Sequence, residues 1–215
     1  MIQLCSMFRD SADYVTRYMR QVRELRNETD VRLIVAEGDS TDNTYGELQR
    51  LTGHGDTLLK VDHGGPAFAS VDTDKRWRQI SRVLRAIFEK LDPALPTIWV
   101  EADLIWDPKA MLGLLADLER VPAVAPMIMA DQRTRFYDVW GYRIKAEKFK
   151  PFYPLYEGDE MGDDLVKIDS CGSCFAVRDT KIVKEWNGLW PFRAQGTLWL
   201  DPRIIVDHPP PKRPL

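Results

Sequence analysis

Residues 97–106 read TIWVEADLIW, a short apolar run that two carboxylates interrupt before it resumes. The β-branched and aromatic residues at 97–100 predict a buried strand of a mostly parallel sheet. Such sheets bind ligands at the carboxyl ends of their strands. Alternation along a strand would put Glu101 and Asp103 on one face, where their oxygens could hold a hard divalent cation and, through it, a phosphate. The alternative is a solvated strand end with no ligand.

A second apolar run ends in the same way. Residues 31–36 read VRLIVA and continue into the polar stretch EGDSTDNT at 37–44, which an amphipathic segment follows. This pattern predicts a strand, a turn and a helix. Asp39 or Ser40 would cap that helix, because their side chains accept hydrogen bonds from first-turn N–H groups. Glu37 is not needed for a cap, so we expect it to contact a base or ribose across the sheet edge.

Composition is typical of one soluble domain. The chain has 215 residues, of which 44% are hydrophobic, and this is enough for a substantial core. No apolar run of about 18 residues predicts a membrane span, and the N-terminal residues lack the basic start of a signal peptide. Three cysteines do not make a disulfide framework, which favours a reducing, cytoplasmic setting. Cys171 and Cys174 lack a second pair for a zinc site and are expected to be buried.

Charge is unevenly distributed although the net charge is only −3. Basic residues crowd one predicted helix and recur at 133–150, and acidic residues follow at 157–169. Basic clusters are usually solvated faces, but a site for a pyrophosphate or a polyanionic acceptor would use them. The basic residues of the predicted helix are Lys75, Arg76, Arg78, Arg82 and Arg85.

Strand and helix patterns alternate through the first 130 residues. Strands are predicted at 2–8, 31–37, 57–61, 97–100 and 123–129, and helices at 11–25, 44–51, 74–91 and 108–118. Residues 1–130 therefore predict a parallel, doubly wound half. Residues 131–208 predict a mixed half: an extended stretch at 136–144, an acidic loop, a strand at 172–177, a short helix and a last strand at 198–206. No linker separates the halves, so we expect one domain over 1–208 and a proline-rich tail at 209–215.

The order of these features resembles that of GT-A glycosyltransferases. Residues 35–44 resemble the first donor-binding motif of family 2 and related transferases, and WVEAD at 99–103 resembles their DxD motif with Glu in the first place. The two glutamates make the chain most similar to fungal α-mannosyltransferases of the Golgi and capsule-synthesis groups. Weaker matches are YDVW at 137–140, DSCGSCF at 169–175 and GLWPF at 188–192.

The resemblance implies an α/β, Rossmann-like GT-A fold, with a mixed, mostly parallel sheet flanked by helices. Residues 1–130 would bind the nucleotide sugar and residues 131–208 the acceptor. The implied reaction is metal-dependent transfer of a sugar from a UDP- or GDP-sugar donor to a hydroxyl group.

The resemblance also implies roles for individual residues. Asp103 and His208 would hold Mn²⁺ or Mg²⁺ against the donor diphosphate, although His208 could equally be an exposed residue before the tail. An inverting enzyme would need a catalytic base, whereas a retaining enzyme needs none. The candidate catalytic carboxylates are Asp169, Asp164 and Asp138. The implied donor-binding residues are Glu37, Asp39, Arg82, Arg85, Glu101 and Ala102.

Three acceptors stay open at this point: a glycan, a small molecule, or a hydroxymethylated base in viral DNA. For DNA, the basic segments at 75–85 and 133–150 would track phosphates, but the acidic net charge argues against it. A non-catalytic nucleotide- or sugar-binding module is the alternative of another class. A sugar nucleotidyltransferase would need a glycine-rich loop after the first strand, where residues 8–11 read FRDS.

Overall fold

The computed structural model describes residues 1–65, 74–137, 141–144, 147–148, 164–181 and 197–210. Within them the chain forms four helices and eleven strands. The helices are α1 (Ala12–Arg26), α2 (Thr44–Leu51), α3 (Asp74–Phe88) and α4 (Pro108–Asp117). The strands are β1 (Ile2–Phe8), β2 (Val31–Glu37), β3 (Thr57–Lys60), β4 (Thr97–Val100), β5 (Ala123–Ala130), β6 (Arg135–Phe136), β7 (Arg143–Ile144), β8 (Glu147–Lys148), β9 (Val166–Ile168), β10 (Cys174–Val177) and β11 (Leu198–Asp207).

One mixed sheet organises the described residues. Its strand order is β3-β2-β1-β4-β10-β5-β11-β9, and β6 adds to β5. The first four strands are parallel, β10 runs antiparallel to both β4 and β5, and β11 runs parallel to β5. The predicted fold class, a mostly parallel sheet flanked by helices, is confirmed. Strand β10, from residues 131–208, lies between β4 and β5, which both come from residues 1–130.

Helix α1 supports the turn that follows β4. Its apolar positions recur every three or four residues, and that face is buried, as the sequence pattern predicts. Tyr18 packs edge-on against Trp106, with ring centroids 6.1 Å apart. Gln21 Nε2 donates to the carbonyl of Trp106 at 2.9 Å, and the guanidinium of Arg17 donates to the carbonyl of Asp103 at 2.6 Å. The helix therefore fixes residues 103–106 through both packing and hydrogen bonds.

Two predictions about local structure are wrong. Helix α2 begins at Thr44, so Asp39 and Ser40 lie too far upstream to cap it. Asp42 accepts from the N–H of Thr44 at 2.9 Å instead. Strand β4 ends at Val100, and residues 101–103 form a turn, so strand alternation does not place Glu101 and Asp103 on one face.

Several predicted segments lie partly or wholly outside the described residues. These are most of the acidic loop, the short helix after Arg178, part of the extended stretch at 136–144, and the end of the tail. The predicted burial of Cys171 and Cys174 is confirmed. In the described part of the chain, no helix is both long and apolar enough to span a membrane.

Candidate active site

Asp103 and His208 are in contact although 105 positions separate them in the sequence. Asp103 Oδ2 lies 3.2 Å from Nε2 of His208. A pair of backbone hydrogen bonds between Ile105 and Asp207, of 2.8 and 2.9 Å, joins the turn after β4 to the end of β11. His208 donates its N–H to the carbonyl of Met129 at 2.7 Å. The pair thus stands where the segment after β4 meets the carboxyl ends of β5 and β11.

The surroundings of His208 fix which ring nitrogen carries hydrogen. Nδ1 lies 2.6 Å from the carbonyl oxygen of Pro209, which can only accept, so Nδ1 is the donor. The ring also stacks on Tyr137, with centroids 3.5 Å apart. A neutral imidazole held this way directs the lone pair of Nε2 at the Asp103 carboxylate. Two acceptors at that distance repel, so the pair needs a second ring proton or a cation between them.

Asp103 has an additional unused oxygen. Its Oδ1 atom is inaccessible to solvent and has no hydrogen-bond partner in the structure. A buried carboxylate oxygen without a partner is costly, and a bound cation would satisfy it. Within the described residues, no group of three or more His, Cys, Asp or Glu side chains could hold a metal. The protein therefore brings two potential ligands to this point.

A polar cavity of about 290 Å³ opens beside Asp103. Glu101 and Ala102 line it, and their role in donor binding stays a prediction. The other walls come from the end of β1, from the start of the loop after β2, from His63 and from one face of α3. The polar or charged side chains on these walls include Arg9, Asp10, Ser11, Tyr14, Arg76 and Gln79.

Glu37 and Asp39 support this cavity without lining it. Glu37 is 1% exposed, and its Oε1 accepts from the N–H of Ser40 at 2.5 Å. This bond holds the turn after β2, so Glu37 has a local structural role, and its contact with a base or ribose stays a prediction. Gly38, between the two acids, lines the cavity. A Cβ there would lie 2.8 Å from Val83 and 3.2 Å from the ring of His63, so the close packing requires glycine.

Asp39 connects the turn after β2 to the loop after β3. It has a φ of 49°, a left-handed conformation that Asp tolerates better than most residues. Its Oδ2 accepts from the N–H groups of His63 and Gly64 at 2.8 and 3.0 Å and lies 3.2 Å from Nδ1 of His63. Burial raises the pKa of Asp39, but the hydrogen bonds from the backbone N–H groups of His63 and Gly64, together with the electrostatic interaction with His63, outweigh burial, so the pKa is lowered.

His63 lies between Asp39 and Arg9 and contacts both. Its side chain is 1% exposed, and Nε2 lies 2.6 Å from a terminal nitrogen of Arg9. Nε2 also lies 3.0 Å from the carbonyl oxygen of Gly38, whereas Nδ1 makes no hydrogen bond within the described residues. The contact with His63 positions the Arg9 guanidinium at the cavity wall. Sequence analysis did not select Arg9 or His63, because neither belongs to a motif and their contact spans 54 positions.

Arg82 and Arg85 do not line the cavity next to Asp103. Both are exposed on α3 and line a separate groove of about 650 Å³ between this helix and the loop after β3. The structure therefore does not bring them together with Glu101, Ala102 and Asp103.

The candidate catalytic carboxylates are not in the cavity either. Asp164 and Asp169 flank β9, where both are exposed, and β9 pairs with the first residues of β11 rather than with its end at Asp207. Asp138 lies outside the described residues. All three stay predictions. The carboxylates that do line the cavity are Asp10, Glu101 and Asp103.

Comparison with known proteins identifies a fold rather than a family. No protein-family model matches the sequence, and no curated protein matches it either. Among solved structures, one similar chain is a mannosyltransferase from Pyrobaculum calidifontis in complex with GDP-mannose and Mn²⁺. It has 11% identity and a TM-score of 0.60, and the match covers 99% of the present chain.

Two further solved structures are similar to the present chain. TarS from S. aureus has 8% identity, a TM-score of 0.57 and a match over 97% of the chain, and a mycobacterial protein has 14% identity, a TM-score of 0.53 and a match over 100%. The present chain spans 57% of the mannosyltransferase, 60% of TarS and 68% of the mycobacterial protein. The chain therefore has the GT-A glycosyltransferase fold.

Proposed function

We propose that this protein is a metal-dependent glycosyltransferase that moves a sugar from a nucleotide-sugar donor to a hydroxyl acceptor. The observation that carries the proposal is the contact between Asp103 and His208 beside a polar cavity, at the carboxyl ends of strands in a GT-A fold. The mannosyltransferase of the same fold was solved with GDP-mannose and Mn²⁺, which supports a nucleotide sugar and a divalent cation here as well.

The residues present fit a divalent cation. Asp103 offers a carboxylate with one oxygen unpartnered, and His208 offers Nε2, a donor pair that Mn²⁺ accepts. A small number of protein ligands is typical of a cation that takes its remaining ligands from water and substrate phosphates. We therefore expect the cation to bind together with the donor diphosphate. When bound, it would neutralise charge on the departing nucleoside diphosphate.

The remaining residues would bind and orient the donor. Glu101 and Ala102 lie on the cavity wall next to Asp103, and we assign them to donor contact. Glu37 and Asp39 would act by holding the loops that shape the cavity. Arg9, held by His63, would supply positive charge to the diphosphate.

A DNA acceptor gains no support from the second basic segment. Arg133 forms two hydrogen bonds with the carboxylate of Asp207, and Arg135 pairs with Asp131. Both arginines are thus neutralised within the protein, where phosphate tracking would need them available.

A thermal-shift panel tests the proposal. UDP-, GDP- and CMP-sugars are each added with and without Mn²⁺. One nucleotide class should stabilise the protein, and only with metal. At ligand concentrations near 100 Kd the gain is about 3 kcal/mol, or roughly 5–10 °C in Tm for a chain of this size.

Asp103→Asn should remove the metal-dependent shift, because an amide is a poor ligand for a hard cation. Asp30→Asn is the matched control, since Asp30 is exposed at the opposite end of β2. A metal-dependent shift of full size in Asp103→Asn would refute the metal site. Slow metal-dependent release of free sugar from the stabilising donor would distinguish a transferase from a non-catalytic binding module.

A further inference from the structure

The groove on α3 is more basic than any need of the fold explains. It lies between the helix and residues 61–64, with a volume of about 650 Å³. This volume is within the usual range for small-molecule sites. Glu89, at the end of the helix, is the one acid among its lining residues. The four cations that line it are Lys75, Arg78, Arg82 and Arg85.

These cations form a single stripe on α3. Their spacing of three, four and three positions puts them on one face of α3. None of the four forms an ion pair or a side-chain hydrogen bond within the described chain, and all are exposed. Like charges three and four positions apart destabilise a helix, so the stripe has a cost.

Arginines elsewhere in the protein are treated differently. Many of them lie against a carboxylate, either within the same element or on another part of the chain. The contrast makes the stripe on α3 a local feature rather than a general property of the surface. Paired examples are Arg26 with Asp56, Arg50 with Glu47, Arg133 with Asp207, Arg135 with Asp131, and Arg203 with Asp201.

Gln79 is the second observation that points to a ligand. It lies on α3 between the groove and the cavity beside Asp103, lines both, and is 5% exposed. In the part of the chain that the structure describes, neither its amide nitrogen nor its amide oxygen has a hydrogen-bond partner. A Cβ on Gly65 would lie 2.1 Å from this nitrogen, so the glycine leaves the amide its space. A buried amide with both ends unused is rare in native proteins, and a polar ligand would satisfy it.

We infer that this groove is a second anion site, which binds a ligand carrying several phosphate groups. Arginine matches phosphate oxygens in geometry and charge. From Lys75 to Arg85 the stripe runs about 15 Å along the helix, at roughly 1.5 Å per residue, which is longer than one diphosphate. The ligand is therefore an extended oligophosphate or a row of phosphate headgroups. The inference does not rest on the proposed transferase activity, since the site needs neither Asp103 nor a metal.

Calorimetric titration with inorganic tripolyphosphate, without divalent cations, tests the site. The wild-type protein should bind, and Arg82→Glu combined with Arg85→Glu should weaken binding by about tenfold or more. Arg20→Glu combined with Arg23→Glu makes the same charge change on α1, where both side chains are exposed, and should bind within about twofold of the wild type. Affinity should fall steeply with salt.

Asp103→Asn separates this site from the donor site. It should bind tripolyphosphate like the wild type, whether or not nucleotide binding follows our proposal. Tripolyphosphate binding that requires Mn²⁺ and disappears in Asp103→Asn would overturn the inference, because the anion would then occupy the donor site. Equal binding by both double variants would also overturn it.

Cosedimentation with phosphatidylglycerol vesicles, against phosphatidylcholine vesicles, identifies the source of the phosphates. Binding to the anionic vesicles that tripolyphosphate competes away, and that the α3 variant loses, assigns the groove to lipid headgroups. Binding of tripolyphosphate without vesicle binding assigns it to a soluble ligand. Failure to bind either probe would refute the site.

Discussion

At the scale of single residues, two buried glutamines in this protein have opposite energetic roles. Gln21 is 3% exposed, and its Nε2 donates to the carbonyl of Trp106, which ties α1 to the turn after β4, while its Oε1 has no partner within the described residues. Gln79 is 5% exposed, and neither of its amide atoms makes a hydrogen bond within the same part of the chain. A buried polar group with a partner contributes to stability, whereas one without a partner costs its desolvation. We assign Gln79 to ligand binding because folding alone gives no reason to keep it.

Replacing each glutamine by leucine should therefore shift stability in opposite directions. Gln79→Leu removes an unsatisfied amide and should raise the free energy of unfolding by about 1 kcal/mol, while Gln21→Leu leaves the Trp106 carbonyl unpaired and should lower it by about 1–2 kcal/mol. Urea denaturation of both variants without ligand measures the difference. A loss of stability in Gln79→Leu as large as that in Gln21→Leu would show that the amide has a structural partner.

The sequence predicted some of these residues and missed others for a physical reason. Asp103 and His208 were expected to act together from their resemblance to a known motif order, and the fold brings them to 3.2 Å. Arg9, His63 and Gln79 carry no local signal, because their importance depends on surroundings that form only on folding. Arg82 and Arg85 have the expected charge, but their face of α3 leads to the groove rather than to the cavity.

At the scale of elements, a pair of carboxylates joins the end of α4 to β11. Asp117 is the last residue of the helix and Asp201 lies in the strand, and both are at most 5% exposed. Arg203 hydrogen-bonds both oxygens of Asp201 and lies 3.7 Å from Asp117. Burial, with the hydrogen bond and the charge of Asp201, raises the pKa of Asp117 to about 6. Burial acts to raise the pKa of Asp201 as well. The hydrogen bonds from Arg203 outweigh burial, so the pKa of Asp201 is lowered.

The contribution of Asp117, in this carboxylate pair, to the free energy of unfolding should fall as the pH rises. The folded pKa of Asp117 is about 6, and an unfolded aspartate has a pKa of about 3.9, so the folded state holds an extra proton between these values. The stability that Asp117 contributes is thus fully present below about pH 4 and is lost as the pH rises to about 6. Asp201, with a lowered pKa, acts in the opposite sense and loses its contribution as the pH falls below its unfolded value.

Asp117→Asn should remove the pH-dependent loss. Relative to the wild type, the variant should gain about 1–3 kcal/mol in the free energy of unfolding between pH 4 and pH 7. Urea denaturation at several pH values measures this difference, with Asp30→Asn as the exposed control. A stability difference that stays constant over this range would show that Asp117 titrates normally in the folded protein.

Elements with strong periodicity were predicted well, and those set by long-range contacts were not. The apolar rows of α1 and the buried runs of β1, β2 and β5 match the structure to within one or two residues. Residues 101–103 form a turn but were predicted to continue the strand. The N–H of Glu101 donates to the carbonyl of Ser173, 72 positions away, and the local sequence gives no sign of such a contact. Strands of two residues, such as β6, have no periodic signal to detect.

At the scale of the whole molecule, the order of strands could not be derived from the sequence. The predicted α/β alternation ends at residue 130, which favoured a parallel nucleotide-binding half within one domain. In the structure β5 does not pair with β4, because β10 lies between them. Strand β5 pairs only with β10, β11 and β6 within the described residues, and all three follow it in the chain. Residues 1–130 therefore include none of the described strands that pair with β5.

A fragment of residues 1–130 should accordingly fail to fold cooperatively. All eight residues of β5 and all four of β4 are buried in the full chain, and the fragment would leave β5 unpaired and β4 as an apolar edge. Exposing a large aliphatic or aromatic side chain costs about 1.5–3 kcal/mol, so the loss of several approaches the typical total stability of about 5–15 kcal/mol.

The control for this fragment is residues 1–210, which keeps every described strand. Its thermal transition, followed by circular dichroism and by the dispersion of amide NMR signals, should match that of the full chain. The fragment 1–130 should instead show a broad transition and poorly dispersed signals. A sharp transition and a dispersed spectrum from residues 1–130 would mean that β1–β4 and their helices fold as an independent unit. The interleaving of β10 would then serve the placement of His208 beside Asp103 rather than the stability of the first half.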